Sequence, residues 1–331
     1  MRRFACPRKA AARRVGAMIT VSVLLAGCST MSPERPHPEI ELKALKVGVT
    51  KAIDTAPLRL AVERKLFEHS GLRVELVEQR DQHRTVSALK AGDVDIAFAG
   101  NLMLLNAAAD GAELELQGEA YISGPNTMAL VTLPGGGYDG PASKSDPVIA
   151  VDPHDDLGKL TTRSCLQTEG VDPGDIKFTE LTFDKMMTAL GHREIDAAWL
   201  TEPDISKAQK EYGAKIITDT ARGAMQDFPM SSYAANKKRA RENPRTFALF
   251  RSVFSKAQEL ANDPSVVRDM VGKFTSLDKT SVALVAIGTF PTSLNAVRLQ
   301  RVADLMHNSG LVSERIDVSS LVPATTLPGS S

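Results

Sequence analysis

Three cysteines, one tryptophan and no excess of either charge, in a chain of 331 residues, leave several kinds of protein out of consideration. Cys6, Cys28 and Cys165 are too few for a disulfide framework. Forty basic and forty acidic residues give a formal net charge of zero. A sequence-independent nucleic-acid binder needs cationic excess to displace counterions, so no nucleic-acid partner is expected. The histidines (His37, His69, His83, His154, His192, His307) show no metal-ligand spacing, and neither G-x-S-x-G nor H-E-x-x-H occurs. No metal, no cofactor and no catalytic residue is therefore assigned, and the chain is read as a binder rather than an enzyme. The apolar run "VGAMITVSVLLAG", 13 residues long, is too short to span a bilayer comfortably.

What precedes that run gives it a different meaning. "MRRFACPRKAAARR" carries six basic residues (Arg2, Arg3, Arg8, Lys9, Arg13, Arg14) and no acid, the layout of an export signal. The run ends in Leu25-Ala26-Gly27-Cys28, which resembles the bacterial lipobox. The resemblance implies that residues 1–27 are a signal peptide and that the Cys28 thiol becomes joined to a diacylglycerol. Each buried methylene adds about 0.8 kcal/mol, so two or more acyl chains hold a folded domain at the extracytoplasmic face of the cell membrane. Residues 28–44, proline-rich from Ser29 to Glu41, read as the tether. Cys165 is left without an intrachain partner and reads as a buried, inert thiol.

The folded part begins at "LKVGV" (Leu45 to Val49), an alternating β-branched strand. Pro57 suits the first turn of a helix capped by Asp54 or Thr55, with Leu58, Val62 and Leu66 on one face and Gly71 as its end. The strands "RVELVEQ" and "VDIAFAG" flank a short helix, "RTVSALKAG", and Asn101 to about Ala109 form another helix. "LPGGGYDGPASKSDP" (Leu133 to Pro147) lacks the Gly-Lys-Ser/Thr ending of a phosphate loop and reads as a mobile surface loop. The pattern then restarts: "VIAVD", a helix from Asp156 to about Glu169, "IKFTEL", a helix "DKMMTALG" and "IDAAWL". Strands alternating with helices in this way predict mostly parallel sheets flanked by helices, an α/β fold. The last third is helical, with Phe247, Phe250, Phe254, Ala257 and Ala261 forming a core-facing stripe and a further helix over about Leu294 to His307.

One phrase occurs in both blocks. "ALKAGDVDIAFAGN" starts at Ala88 and "ALGHREIDAAWLTEP" at Ala189, 101 positions later (189 − 88). In each, a short helix ends, a polar turn follows, an Asp stands where the chain changes direction and an aromatic lies on the strand. The echo points to two related lobes, which also suits a chain of this length.

The stretches "KVGVT", "GDVDIAFAG", "EIDAAWLTEP" and "LQRVADLMHNSGL", in that order and behind a lipobox, resemble the periplasmic solute-binding proteins of ABC importers. The similar group is the one covering sulfonate, taurine, nitrate and thiamine-precursor binders (NMT1/THI5-like). The resemblance implies a type II periplasmic-binding-protein fold with crossing strands between the lobes. It places lobe 1 at 45–127 and 233–322, lobe 2 at 128–232 and a tail at 323–331. It implies a small-molecule solute in the interlobe cleft, an ABC permease and its ATPase as partners, and a monomer.

Independently of the family, ligands of open α/β sheets sit beyond the carboxyl ends of strands. That rule selects Thr50, Asp54, Thr55, Gly100, Asn101, Asp152, Asp155, Thr201 and Glu202 as candidate ligand-binding residues. Trp199 is placed either to stack on a flat ligand or to fill the core, and Tyr121 to wall the cleft. Asn101 either bonds a ligand or caps its helix. The carboxylates at this rim disfavour a simple anion. The expected solute is neutral or amine-bearing, a thiamine-precursor-like ring being preferred and a zwitterion admitted. A sulfonate-, taurine- or nitrate-type anion is one alternative, and an enzyme on the same fold is the other.

Overall fold

The computed structural model describes residues 39–153, 156–275 and 277–324. The signal segment, Cys28, most of the tether, Asp155 and most of the 323–331 tail lie outside them. Among the described residues, no helix is long and apolar enough to cross a membrane.

In the first lobe, β1 (Ala44–Val49), α1 (Ala56–Glu63), β2 (Arg73–Glu78), α2 (Gln82–Ala91), β3 (Ile96–Gly100), α3 (Asn101–Ala109) and β4 (Leu114–Ile122) follow one another. The second lobe runs through β5 (Met128–Thr132), β6 (Val148–Val151), α4 (Leu157–Thr168), β7 (Lys177–Glu180), α5 (Phe183–Gly191), β8 (Ala197–Thr201), α6 (Asp204–Tyr212) and β9 (Lys215–Asp219). The chain then returns through β10 (Pro229–Asn236). It ends in α7 (Lys237–Glu242), α8 (Pro244–Leu260), α9 (Pro264–Phe274), α10 (Lys279–Leu284) and α11 (Ala296–Asn308).

The sheets share one plan. Their strand orders are β2-β1-β3-β10-β4 and β7-β6-β8-β5-β9. In each, the first three neighbours pair in parallel and the fourth runs antiparallel. β10 pairs in the first sheet from Pro229, ahead of the expected return at 233.

The repeated phrase occupies equivalent places, α2 to β3 and α5 to β8, and its aspartates do the same work. The Asp95 carboxylate accepts the Lys46 N–H at 2.7 Å while its own N–H donates to the Lys46 carbonyl at 2.8 Å. Asp196 clasps Val148 in the same two ways, both at 2.8 Å. Each therefore ties the turn before a central strand to the first residues of the neighbouring one. Just before them, Gly92 (φ 79°) and Arg193 (φ 60°) stand in the left-handed region, which a side chain disfavours by about 1–2 kcal/mol. Since Arg193 is exposed, Arg193→Gly is expected to stabilise the protein by about 0.5–1 kcal/mol, read as a higher denaturant midpoint.

Alternation along the strands divides the cores. Ile96 and Phe98 of β3 face α1 and α8, joining Leu45, Val47, Phe247, Phe250 and Phe254. Ala97 and Ala99 face α2, α3 and α11. The phenylalanine stripe packs as its spacing requires, with Phe67–Phe250 centroids at 5.4 Å and Tyr233–Phe254 at 4.9 Å. In the second lobe Ala198 and Leu200 meet α5 and α6, while Ala197 and Trp199 face the other way.

Three local expectations change. α1 stops at Glu63 instead of running to Gly71, since Lys65 adopts φ 55° and a short 3-10 turn leads to Gly71. Thr55 occupies the N-cap position of α1, as one of the two residues expected there, but no side chain caps the helix, and Asp54 and Thr55 belong to a 3-10 turn, Ile53–Thr55, that leads into it. The Leu133–Pro147 loop is anchored: Tyr138 is fully buried and its hydroxyl donates to the Pro141 carbonyl at 2.9 Å. Cys165 is a free, buried thiol.

Candidate ligand-binding site

Parallel strands deliver their carboxyl ends to one edge of a sheet, and here the edges of both sheets meet at a cavity of about 310 Å³. Thr50 reaches it from the end of β1, Gly100 from β3, Asp152 from β6, Thr201 and Glu202 from β8, and Tyr121 from β4 as it leaves the first sheet. Asp54 enters on the turn after β1, and Trp199 lines the second-lobe side.

Two expected residues do not reach the cavity. Thr55 is buried beneath it, its hydroxyl donating to the Ala52 carbonyl at 2.7 Å and accepting from Arg59 Nε at 2.9 Å. Asn101 neither caps α3 nor faces the cavity, for it is the first helical residue and its Nδ2 donates to the Pro229 carbonyl at 2.9 Å. It is a buried clamp between α3 and β10. Asp155 lies outside the described residues.

Trp199 fills the core and also lines the cavity. The residue is 5% exposed, and its Nε1 donates to Thr220 Oγ1 at 3.1 Å. The ring lies so close to α4 that a Cβ on Gly158 would fall 2.9 Å from Trp199 Cε3, so glycine there makes room for the indole. The wall it forms is fixed.

The electrostatics centre on Asp54. It is half-buried at the cavity, and its carboxylate accepts a hydrogen bond from the Ser231 hydroxyl. Burial pushes its pKa up from 3.8 to about 6, against the opposing effect of the Ser231 bond. Among the described residues, no lysine or arginine forms an ion pair with it. Burial likewise raises the Tyr121 phenol, and the Asp54 and Glu202 charges add to this, so the hydroxyl keeps its proton. Burial raises Glu202 as well, although three hydrogen bonds hold its charge. Asp204, at the start of α6 just outside the lining, is raised to about 6, chiefly by burial. Arg80 is the cation among the described lining residues, and it is exposed.

One feature has the opposite sign. α3 begins at the cavity with no side-chain cap, and the neighbouring Gly100 N–H donates to Gln82 Oε1 at 2.6 Å. A helix N-terminus of this kind presents partial positive charge to whatever fills the space. The cavity thus offers a half-buried carboxylate and an open helix end together.

Several lining residues escaped the sequence reading. Arg80, Asp81 and Gln82 follow β2 and were within reach of the strand-end rule. Met230 and Ser231 lie on the antiparallel β10 and carry no local signal.

A family model described as NMT1/THI5 like matches residues 52–265. A Bacillus subtilis (strain 168) protein, named provisionally as an aliphatic sulfonates-binding protein, is 24% identical over 319 residues, 93% of each chain. The periplasmic aliphatic sulphonate binding protein SsuA of Escherichia coli superposes with a TM-score of 0.72 at 22% identity, over 88% of this chain and 95% of that one. The alkanesulfonate-binding protein SsuA from Xanthomonas axonopodis pv. citri, solved bound to MOPS, gives 0.70 at 20% identity, over 86% and 99%. These structural likenesses establish the two-lobe periplasmic-binding-protein fold. With the family model spanning both lobes, the chain belongs to the NMT1/THI5-like family.

Proposed function

We propose that this protein captures a small zwitterionic organic solute, with an ammonium and an acidic group, in the interlobe cleft and delivers it to an ABC permease and its ATPase. In this reading it works outside the cytoplasm, as a monomer held to the membrane through acylated Cys28, and it binds without turnover. One observation carries the choice of solute: the half-buried Asp54 carboxylate lines the cavity, and among the described residues no lysine or arginine pairs with it. An isolated buried charge costs several kcal/mol, and a ligand ammonium supplies the missing partner. The open N-terminus of α3 suits the acidic group. The sulfonate-binding names of the relatives support an acid on the solute. They lend nothing to a thiamine-precursor ring, and the preference for one is dropped.

Calorimetry with 2-aminoethanesulfonate, an unsubstituted alkanesulfonate, nitrate and an aminopyrimidine, at pH 5 and pH 8, tests this reading. The amine-bearing acid is expected to bind best at pH 8. Asp54, with its pKa near 6, is mostly protonated at pH 5, so binding there should weaken about tenfold. The unsubstituted alkanesulfonate should bind more weakly and gain as the pH falls. Tight binding of nitrate or of the plain alkanesulfonate at pH 8 would establish the anion reading instead.

A further inference from the structure

The chain passes covalently between the lobes through 123–127 and 220–228, and a third run, 285–290, lies alongside without crossing. Its end is fixed on the first lobe. Thr289 and Ile122 exchange backbone hydrogen bonds of 2.9 and 3.0 Å, and the Gly288 N–H donates to the Tyr121 hydroxyl. A Cβ on Gly288 would fall 2.1 Å from the Ile122 carbonyl oxygen, so only glycine fits this crossing. Its beginning is fixed on the second lobe. The Ala286 N–H donates to Glu202 Oε1 at 3.0 Å. The same carboxylate accepts the Ser206 hydroxyl at 2.9 Å and the Ser206 N–H at 3.1 Å, in the first turn of α6. Farther along α6, Lys210 pairs with Asp278, the side chain that caps α10.

We infer that Glu202 is a positioning residue for solute capture. By fastening the 285–290 run to α6 it adds a third, non-covalent link between the lobes and sets the width of the cleft. Although Glu202 lines the cavity, its oxygens are engaged by three donors and serve the link rather than the solute. Tyr121 stands at the other end of the same run, so the wall of the cavity and the link move as one piece. The inference goes beyond the proposed function and holds whatever charge the solute carries.

The test measures lobe geometry in the ligand-free full chain. Spin labels on Arg84→Cys of α2 and Lys185→Cys of α5, both exposed, report the interlobe distance. Ala286→Pro deletes the donor and leaves the Glu202 side chain unchanged. Val285 before it already has the extended geometry (φ −55°, ψ 122°) that a residue preceding proline prefers. This variant and Glu202→Gln, which sets an amide NH₂ against N–H donors, are each expected to shift the mean distance by more than the wild-type width. The double variant should shift it no further than Glu202→Gln alone, since both changes break the same bond. Lys210→Met, a surface change, should give a smaller shift of the same sign, and it decides the matter if the other variants do not fold. A wild-type distribution in the folded variants, or additive shifts, would overturn the assignment.

Discussion

Asp54→Asn is expected to melt at a higher temperature than the wild type at pH 8 while losing affinity for the proposed amine-bearing solute. Removing one partner of a buried charge pair costs about 2–5 kcal/mol, a loss of affinity from roughly thirtyfold to several thousandfold. The stability change has the opposite sign. Burial raises the Asp54 pKa from 3.8 to about 6, so between those values the folded protein holds more protons than the unfolded chain. Stability from this group is therefore full below pH 3.8 and falls as the pH rises through 6. Each pH unit of separation is worth about 1.4 kcal/mol, and the ionised group costs on the order of 3 kcal/mol at pH 8. Asparagine carries no such cost and still accepts from Ser231. Melting temperatures of the two proteins should separate progressively between about pH 4 and pH 6 and keep a constant gap from there to pH 8. Curves that stay parallel, or a variant that keeps full affinity, would remove Asp54 from the role of counter-charge. The exchange of stability for binding is what a site awaiting a cation should show.

Glu119→Ala should destabilise the protein by about 3–5 kcal/mol, the range found when one member of a buried ion pair is deleted. Glu119 points from β4 into the helical layer with its side chain fully buried. Its carboxylate accepts from Arg298 Nε at 2.8 Å, Arg298 Nη2 at 2.9 Å and the Asn295 N–H at 2.7 Å. Asn295 in turn caps α11, accepting from the Val297 and Arg298 N–H groups. Truncation strips the Asn295 N–H of its acceptor and leaves the Arg298 guanidinium with only the Ser293 carbonyl, at the point where α11 is fastened to the sheet. Urea unfolding would give the size of the loss, and hydrogen exchange should place it in α11 before the rest of the first lobe. A variant within about 1 kcal/mol of the wild type would show that the pair does no more than cover its own desolvation.

The elements most legible in the sequence were those whose signal is local and periodic. α3 spans Asn101–Ala109 as expected, Pro244 opens α8, and the phenylalanine stripe is core. The duplicated phrase indicated two equivalent lobes, and Asp95 and Asp196 give the physical reason, since each lobe clasps its central strands in the same way. What the residues alone do not reveal is the direction in which a polar side chain settles. Thr55 and Asn101 sit where strand ends meet, yet both turn inward to backbone partners, and the Asn101 partner, Pro229, lies in a distant strand. Ser231 against Asp54 and Ala286 against Glu202 are likewise meetings between remote parts of the chain, decided by topology.

The place of β10 carries a consequence for synthesis. It lies inside the first sheet, between β3 and β4, and its sequence follows the whole of the second lobe. The β5–β9 sheet is contiguous and has all its strands once residue 219 has been made. Until Pro229–Asn236 appears, β4 has no neighbour to pair with, and the older half must wait for the younger one to close it.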